Sequence, residues 1–179
     1  MKIKGLFLLI ILLLTFSVQS DTTVYGKLFV TLESQEMITG TELNIENNAS
    51  RLGIKGNIEL KRELEFIYQA EYEIDPVDGT ADESNGRSFK QRNTFIGFKG
   101  SLGTLFLGTH DTAFRKSQDK IDLFNDLASD IKNILEGENR LSELVGFTTP
   151  VFGKNFSATF NVIKEKGGLN DTSSFSLKY

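Results

Sequence analysis

The chain has 179 residues, a formal charge of −4, 15 phenylalanines, 16 glycines and no cysteine. The lack of cysteine excludes a disulfide framework, a thiolate zinc site and a lipid anchor on an N-terminal cysteine. The acidic balance, without any basic patch, argues against nucleic acid as a partner, because binding to phosphates needs clustered Lys and Arg.

The first twenty residues have the pattern of a secretory signal. Two lysines precede an apolar run of 12 residues, Gly5–Phe16, and short side chains follow it at Val18 and Ser20. The run is too short for a membrane helix, which needs about 20 apolar residues. We expect residues 1–20 to be a signal peptide cleaved near Ser20, with a retained N-terminal anchor as the alternative.

The exported part, residues 21–179, has 18 basic and 24 acidic side chains, which gives a formal charge of −6. It has no apolar run close to the length of about 20 residues that a spanning helix needs. An exported chain of this kind is soluble in the periplasm, secreted, or an outer-membrane β-barrel.

The segment Arg62–Ile74 alternates between apolar and mostly polar or charged residues along 13 positions. Its even positions are Leu64, Phe66, Tyr68, Ala70, Tyr72 and Ile74. Successive side chains of a strand point to opposite faces, so one face is apolar and the other is mainly charged. Such a long strand favours a membrane barrel with lipid outside and water inside. The alternative is a solvated strand of a soluble β-sandwich.

Eight strands are predicted in the exported part, and the connections between them alternate in length. In chain order the strands are Val24–Glu33, Ser50–Ile58, Arg62–Ile74, Arg92–Gly100, Thr104–Thr109, Leu144–Thr149, Phe156–Ile163 and Ser173–Tyr179. Long polar loops, the first at 34–49, follow strands one, three and five, and short turns follow strands two, four and six. Short turns at one rim and long loops at the other are typical of outer-membrane barrels.

The connection after the fifth strand, about residues 110–140, has a different pattern. Apolar residues recur there at spacings of three and four, at Ile121, Phe124, Leu127, Ala128, Ile131, Ile134 and Leu135. This periodicity predicts a partly helical loop. A loop of that length is usually functional or disordered, and its apolar residues would allow it to fold back onto the sheet.

Six segments carry a resemblance to a known family: Tyr25–Leu28, Asn47–Gly56, Ile67–Tyr72, Arg92–Phe98, Leu107–Thr112 and Asp122–Leu127. Taken in this order, they resemble the first five strands and the third loop of the general diffusion porins of Gram-negative outer membranes. The match in order and spacing extends over nearly the whole exported part.

The resemblance implies an all-β fold, a 16-stranded antiparallel transmembrane barrel, usually a homotrimer, that passes small hydrophilic solutes and ions. In that family the third loop folds into the lumen, and its acidic residues face arginines on the wall. By motif position, Arg51 and Arg92 would be wall arginines, and Asp122, Asp126 and Asp130 would be the loop acids of the constriction. Passive diffusion needs no cofactor, metal or energy source.

The strand pattern supports part of this assignment independently. Arg51 is out of phase with Leu52 and Ile54, so it is predicted to face the water-filled side; the alternative is a lumen arginine without a special role. The pattern does not fix the phase of Arg92. The three aspartates are four residues apart and would share one side of a helix, where the alternative is a solvated acidic face.

The chain departs from the family pattern in sequence and in length. Thr109 and Ala113 occupy positions where an arginine and a proline are common, and Ala128-Ser129 replaces a glycine pair, which favours helix in the loop. Seven strands and the beginning of an eighth are about half of a 16-stranded barrel. We therefore expect the N-terminal part of a truncated or partial porin.

Three other hypotheses compete with a porin. A complete eight-stranded barrel with a structural or adhesive role would be filled by its own side chains and would leave no room for a folded loop. An enzyme lacks support, because His110 is the single histidine and no nucleophile elbow occurs; His110 is predicted to be a polar rim residue. A soluble periplasmic sandwich would not alternate long loops with short turns.

Overall fold

The computed structural model describes residues 20–118, 122–163 and 172–179. The predicted signal peptide, residues 1–20, lies outside the described residues except for Ser20. Within those three ranges, no helix has the length and apolar character needed to cross a membrane.

The described residues form ten β-strands, a short α-helix and one turn of 3₁₀-helix. The strands are β1 (Ser20–Lys27), β2 (Val30–Met37), β3 (Gly40–Asn47), β4 (Arg51–Lys61), β5 (Leu64–Ile74), β6 (Phe89–Gly100), β7 (Gly103–Asp111), β8 (Arg140–Thr148), β9 (Ser157–Ile163) and β10 (Thr172–Lys178). The helix α1 is Ala113–Ser117, and the 3₁₀ turn is Ile131–Asn133.

Eight of the strands form one open antiparallel sheet. Its order is β1-β4-β5-β6-β7-β8-β9-β10. Apart from β2 and β3, which lie outside this sheet, strands that are consecutive in the sequence are therefore neighbours in it. Among the strands described, β1 and β10 are the two edges and do not pair with each other. The sheet is therefore a partial, unclosed barrel wall, as the sequence predicted.

The first predicted strand and the first predicted loop need correction. The strand ends at Lys27 instead of Glu33, and residues 34–49 are not an open polar loop. Instead, β2 and β3 pair as a separate hairpin, with Leu32 opposite Ile45. The turn ends at Gly40, whose φ is +139°. Glycine adopts this backbone conformation readily, whereas it is strained for other residues.

The outer face of the sheet carries continuous rows of apolar side chains. One row crosses six neighbouring strands and consists of Phe66, Phe98, Leu105, Phe147, Phe160 and Phe175. A parallel row contains Ile96, Leu107, Val145 and Val162. Each member of the second row is more than one third exposed. So large an exposed apolar surface is a contact surface, and on a barrel wall it is the surface that faces lipid.

The inner face is polar except where the loop after β7 covers it. There Phe106, Leu144 and Ile163 are buried and pack with Phe95. Gly146 lies between them, and a Cβ at that position would clash with the Phe106 ring. Glycine is therefore required at 146 for the ring to lie flat against the wall.

The loop after β7 is only briefly helical, and the predicted helical periodicity over 121–135 is wrong for the described part. Residues 122–130 form turns, and Asp126 has a φ of +71°. Ile134 is 85% exposed, so the apolar positions do not form a packed helix face. Aspartates accept backbone hydrogen bonds in turns and caps, and these bonds compete with a continuous helix.

Candidate functional site

The base of the loop is attached to the wall by side chains of β9 and β10. The backbone N–H of Ala113 donates to Asn161 Oδ1, and the N–H of Phe114 donates to Ser174 Oγ at 2.8 Å. The first N–H groups of a helix have no partner within the helix. Asn161 is fully buried, so the wall satisfies these donors and fixes where the loop begins.

The middle of the loop contacts the wall at a distant strand pair. Asp126 Oδ2 lies 3.1 Å from Arg51 Nη1 and 3.2 Å from Lys27 Nζ. Arg51 and Lys27 are register partners on β4 and β1. The loop leaves β7, three strand positions from β4, so it crosses the polar face of β6 and β5 to make this contact.

The contact of Asp126 is partly shielded from water. Its side chain is 5% exposed, whereas Arg51 is 20% and Lys27 is 39% exposed. Two cations against one carboxylate leave a local excess of one positive charge. Lys27 was not singled out from the sequence, although it lies in the same strand phase as Tyr25 and opposite to Val24.

Arg92 lies on the wall, in β6, where its partners are acids of the neighbouring strand. Its Nε donates to Glu71 Oε1 at 2.9 Å, and its Nη1 donates to Glu73 Oε2 at 2.8 Å. Tyr25 donates its hydroxyl to the other oxygen of Glu71 at 2.8 Å. Arg92 is buried and bound by acids of the neighbouring strand β5, and the structure shows no contact between it and the loop aspartates.

Asp130 makes its hydrogen bonds and its ion pair with residues of the loop itself. Its oxygens accept the backbone N–H groups of Asp126 at 2.8 Å and Lys132 at 2.9 Å, and Lys132 Nζ lies 3.3 Å away. Burial raises the pKa of this carboxyl, but the two N–H groups and the ammonium outweigh burial and leave the pKa below its ordinary value. The charged carboxylate therefore caps the 3₁₀ turn.

Asp122 makes fewer contacts than the other two loop aspartates. Its Oδ1 accepts the N–H of Phe124 at 3.3 Å, while its Oδ2 is buried without a hydrogen-bond partner. Of the five residues expected at a constriction, the structure thus brings Arg51 and Asp126 together. Asp130 accepts the backbone N–H of Asp126, Asp122 lies near Asp130 in the same loop, and Arg92 is bound by acids of β5.

A second ion-pair network at the loop base was not found from the sequence. Arg140 lies 3.0 Å from Asp111, and Arg115 lies 3.4 Å from both Asp111 and Glu138. Arg140 and Asp111 are register partners at the ends of β8 and β7. The long, partly helical connection hid this proximity, because the register of β7 and β8 cannot be read across it.

His110 is buried beneath the loop and is not a polar rim residue. Its ring centroid lies 4.8 Å from that of Phe95 and 4.6 Å from that of Phe106, and only 6% of the residue is exposed. Its Nδ1 lies 2.7 Å from the carbonyl oxygen of Asp111. The ring therefore fills space between the wall and the loop.

An antiparallel wall with an apolar outer face, a polar inner face and a loop folded over that inner face defines a β-barrel membrane protein. Residues 10–179 match the family model described as Gram-negative porin. The chain belongs to the Gram-negative porin family, and it is accordingly an outer-membrane protein.

Individual relatives agree with this assignment. The chain is 27% identical over 171 residues to the major outer membrane protein P.IB of Neisseria sicca, with 87% of this chain and 45% of that protein covered. The chain thus spans about half the length of the curated relative that it matches.

Solved structures show the same fold. An anion-selective porin from Comamonas acidovorans has a TM-score of 0.61 at 23% identity, covering 81% of this chain and 47% of the porin chain. OmpT, an outer membrane protein of Vibrio cholerae in a trimer form, has a TM-score of 0.58 at 16% identity, covering 81% and 41%. At these identities the likeness shows the fold alone.

Proposed function

We propose that this chain forms part of an outer-membrane channel for passive diffusion of small hydrophilic solutes and ions, narrowed by the loop of residues 112–139. The contact of Asp126 with Arg51 and Lys27 is the main support. It ties the loop across the polar face of the wall, where it would reduce the open cross-section. Membership of the porin family favours a channel over an enzyme.

The charges at this contact would act on solutes in two ways. Opposed cations and carboxylates orient water between them, so an apolar solute must displace ordered water, whereas a polar solute replaces some of the contacts. Rings of charge also bias the choice of ions. The excess positive charge of Lys27 and Arg51 over Asp126 favours anions locally, although the exported part is acidic as a whole. The Comamonas relative is described as anion-selective.

In this proposal the eight strands are half of a 16-stranded barrel, and the full-length form is a homotrimer in outer-membrane lipid. The free edges of β1 and β10 would pair with the remaining strands, because unpaired strand edges are not tolerated in hydrocarbon. A complete eight-stranded barrel is less compatible with the structure, since β1 and β10 would have to close around a loop that already covers the inner face.

Planar-bilayer recordings test the channel. We expect stepwise conductance from the complete barrel and no stable pore from the eight strands alone. An absence of steps from the complete barrel would contradict the channel itself.

Ion selectivity tests the constriction separately. Arg51→Ala should shift the reversal potential toward cations, because one wall cation is lost. Lys154→Ala, which removes an exposed cation in the turn between β8 and β9, serves as the matched control and should leave it unchanged. Normal conductance with equal selectivity in both variants would exclude the Arg51 site while leaving the channel intact.

A further inference from the structure

Three carboxylates meet where the loop closes on itself. Asp122, Asp130 and Glu138 each place one oxygen within 4.8 Å of the others. They are eight residues apart in the sequence, and no short metal-binding motif joins them. The sequence therefore predicted no metal site, and only the turns of the loop bring the three residues together.

A second observation concerns buried oxygens without partners. Within residues 20–118, 122–163 and 172–179, the buried side-chain polar atoms without a hydrogen bond are all oxygens, and all belong to residues that line one cavity of about 640 Å³. They are Asp111 Oδ1, Gln118 Oε1, Asp122 Oδ2 and Glu138 Oε2. Asp111 Oδ1 still has guanidinium groups nearby, and the other three oxygens lack a donor.

Glu138 is the strongest of these cases. Its side chain is 3% exposed, and Arg115 approaches only Oε1, at 3.4 Å, which leaves Oε2 buried without a donor. A buried carboxylate oxygen is costly unless a donor or a cation compensates it. Glu138 also places one carboxylate oxygen within 4.8 Å of oxygens of Asp122 and Asp130, so a bound cation would compensate this carboxylate.

The charge balance leaves room for a cation. Arg115 contacts Glu138, and Lys132 contacts Asp130, so two positive charges face three carboxylates. The Lys132 side chain is 50% exposed and can move into solvent. Lys116 also lines the cavity, where it interacts with Asp111.

We propose that Asp122, Asp130 and Glu138 bind a divalent cation, and that Ca²⁺ fits them best. The donors are all oxygens, which suits Ca²⁺ and Mg²⁺ and disfavours softer metals. Two oxygens bound to one Ca²⁺ are at most about 5 Å apart, whereas the limit for Mg²⁺ is about 4.2 Å. The three oxygens lie within 4.8 Å of one another, inside the span that one Ca²⁺ can bridge, and the exposed Lys132 side chain would leave Asp130 when the ion binds. Gln118, whose Oε1 also lacks a partner, lines the same cavity as Asp122 and Glu138.

Calorimetric titration of chelator-stripped protein in detergent tests the proposal, with CaCl₂ and MgCl₂ added separately. We expect one saturable Ca²⁺ site per chain, with a dissociation constant in the range of about 10⁻⁴–10⁻³ M that extracellular Ca²⁺ modules show, and weaker binding of Mg²⁺. Glu138→Gln should weaken Ca²⁺ binding at least tenfold. Glu136→Gln, an exposed acid of the same loop segment, is the matched control and should bind like the wild type.

A partly exposed ligand provides a second variant in case the buried Glu138→Gln protein does not fold. Asp122→Asn should also weaken Ca²⁺ binding about tenfold with an unchanged far-ultraviolet circular dichroism spectrum. Absence of saturable binding by the wild type, or equal binding by the wild type and Asp122→Asn, would overturn the proposal. Since the readout is binding and not conductance, the result is independent of the channel.

Discussion

The outer face of the sheet and the loop of residues 112–139 are stabilised by different means. The outer face repeats one simple rule, an apolar side chain at every second position, and many of its members are interchangeable. The loop depends on single contacts, such as Ala113 with Asn161 and Asp126 with Arg51. On the outer face, the effect of a substitution on stability should therefore depend on whether the new side chain is apolar or charged. In the loop, it should depend on which individual residue is replaced.

The largest effect is expected from a charge on the outer face. Ile54→Lys places an ammonium on the lipid side and should lower the free energy of unfolding by up to about 2–4 kcal/mol, as at the centre of a bilayer. Asn57→Lys places the same charge on the inner face of the same strand and should cost far less. Urea unfolding in lipid vesicles measures both. Equal losses of unfolding free energy in the two variants would mean that lipid does not contact one face and water the other.

The next largest effect is expected at the loop base. Asn161→Ala leaves the buried N–H of Ala113 without an acceptor, which should cost about 1–3 kcal/mol and speed hydrogen exchange of that amide. Ser174→Ala removes the acceptor of the more exposed Phe114 N–H and should cost less. If amide exchange at Ala113 were unaffected by Asn161→Ala, the wall would not be what fixes the loop.

The contact between loop and wall should contribute less, because Arg51 and Lys27 remain partly solvated. A double-mutant cycle of Arg51→Ala and Asp126→Asn should give a coupling of about 0.5–1 kcal/mol that weakens as salt is added. The same cycle with Arg92→Ala should give no coupling, since Arg92 contacts Glu71 and Glu73. Coupling of Asp126 to Arg92 would contradict the described arrangement.

The smallest effect is expected from pH. Because the pKa of Asp130 is lower in the folded chain than its ordinary value of 3.8, the charged form stabilises the fold above that pH. This stabilisation is lost as the pH falls below that value through the folded pKa. With a chelator present, loop proteolysis should rise on acidification, and less so in Asp130→Asn. Asp82→Asn, in an exposed loop, is the control.

The difference between the two regions also explains how much the sequence could predict. Alternation along Arg62–Ile74 predicted β5, the facing of its side chains and the phase of Arg51 in β4, because strand geometry alone links pattern to face. The hairpin of β2 and β3 was missed because its exposed polar side chains conceal the alternation of Leu32 and Ile45. In the rest of the wall, short turns join the neighbouring antiparallel strands β4 and β5, and likewise β6 and β7, and thereby fix the register of both pairs.

The loop was predicted less well because its contacts are distant in sequence. The motif placed Asp126 in a set of three equivalent acids, yet each has a separate role: Asp126 contacts the wall, Asp130 caps a turn and Asp122 lies beside Glu138. Spacing by four residues fits both a helix and a series of turns. The difference is decided by backbone contacts that spacing does not encode.

The hairpin of β2 and β3 has a consequence for how this protein can vary. Its stem is closed by the N–H of Asn48, which donates to the carbonyl of Phe29 at 2.8 Å, and by Ser50 Oγ, which accepts the N–H of Phe29 at 2.9 Å. The stem is joined to the wall by Asn47, whose Nδ2 donates to the carbonyl of Ile74 in β5 at 3.1 Å. Beyond that point its strands pair with each other and not with the wall. Residues could therefore be added or deleted in pairs at the tip of the hairpin. The wall strands would keep their register, and only the shape of the exposed loop would change.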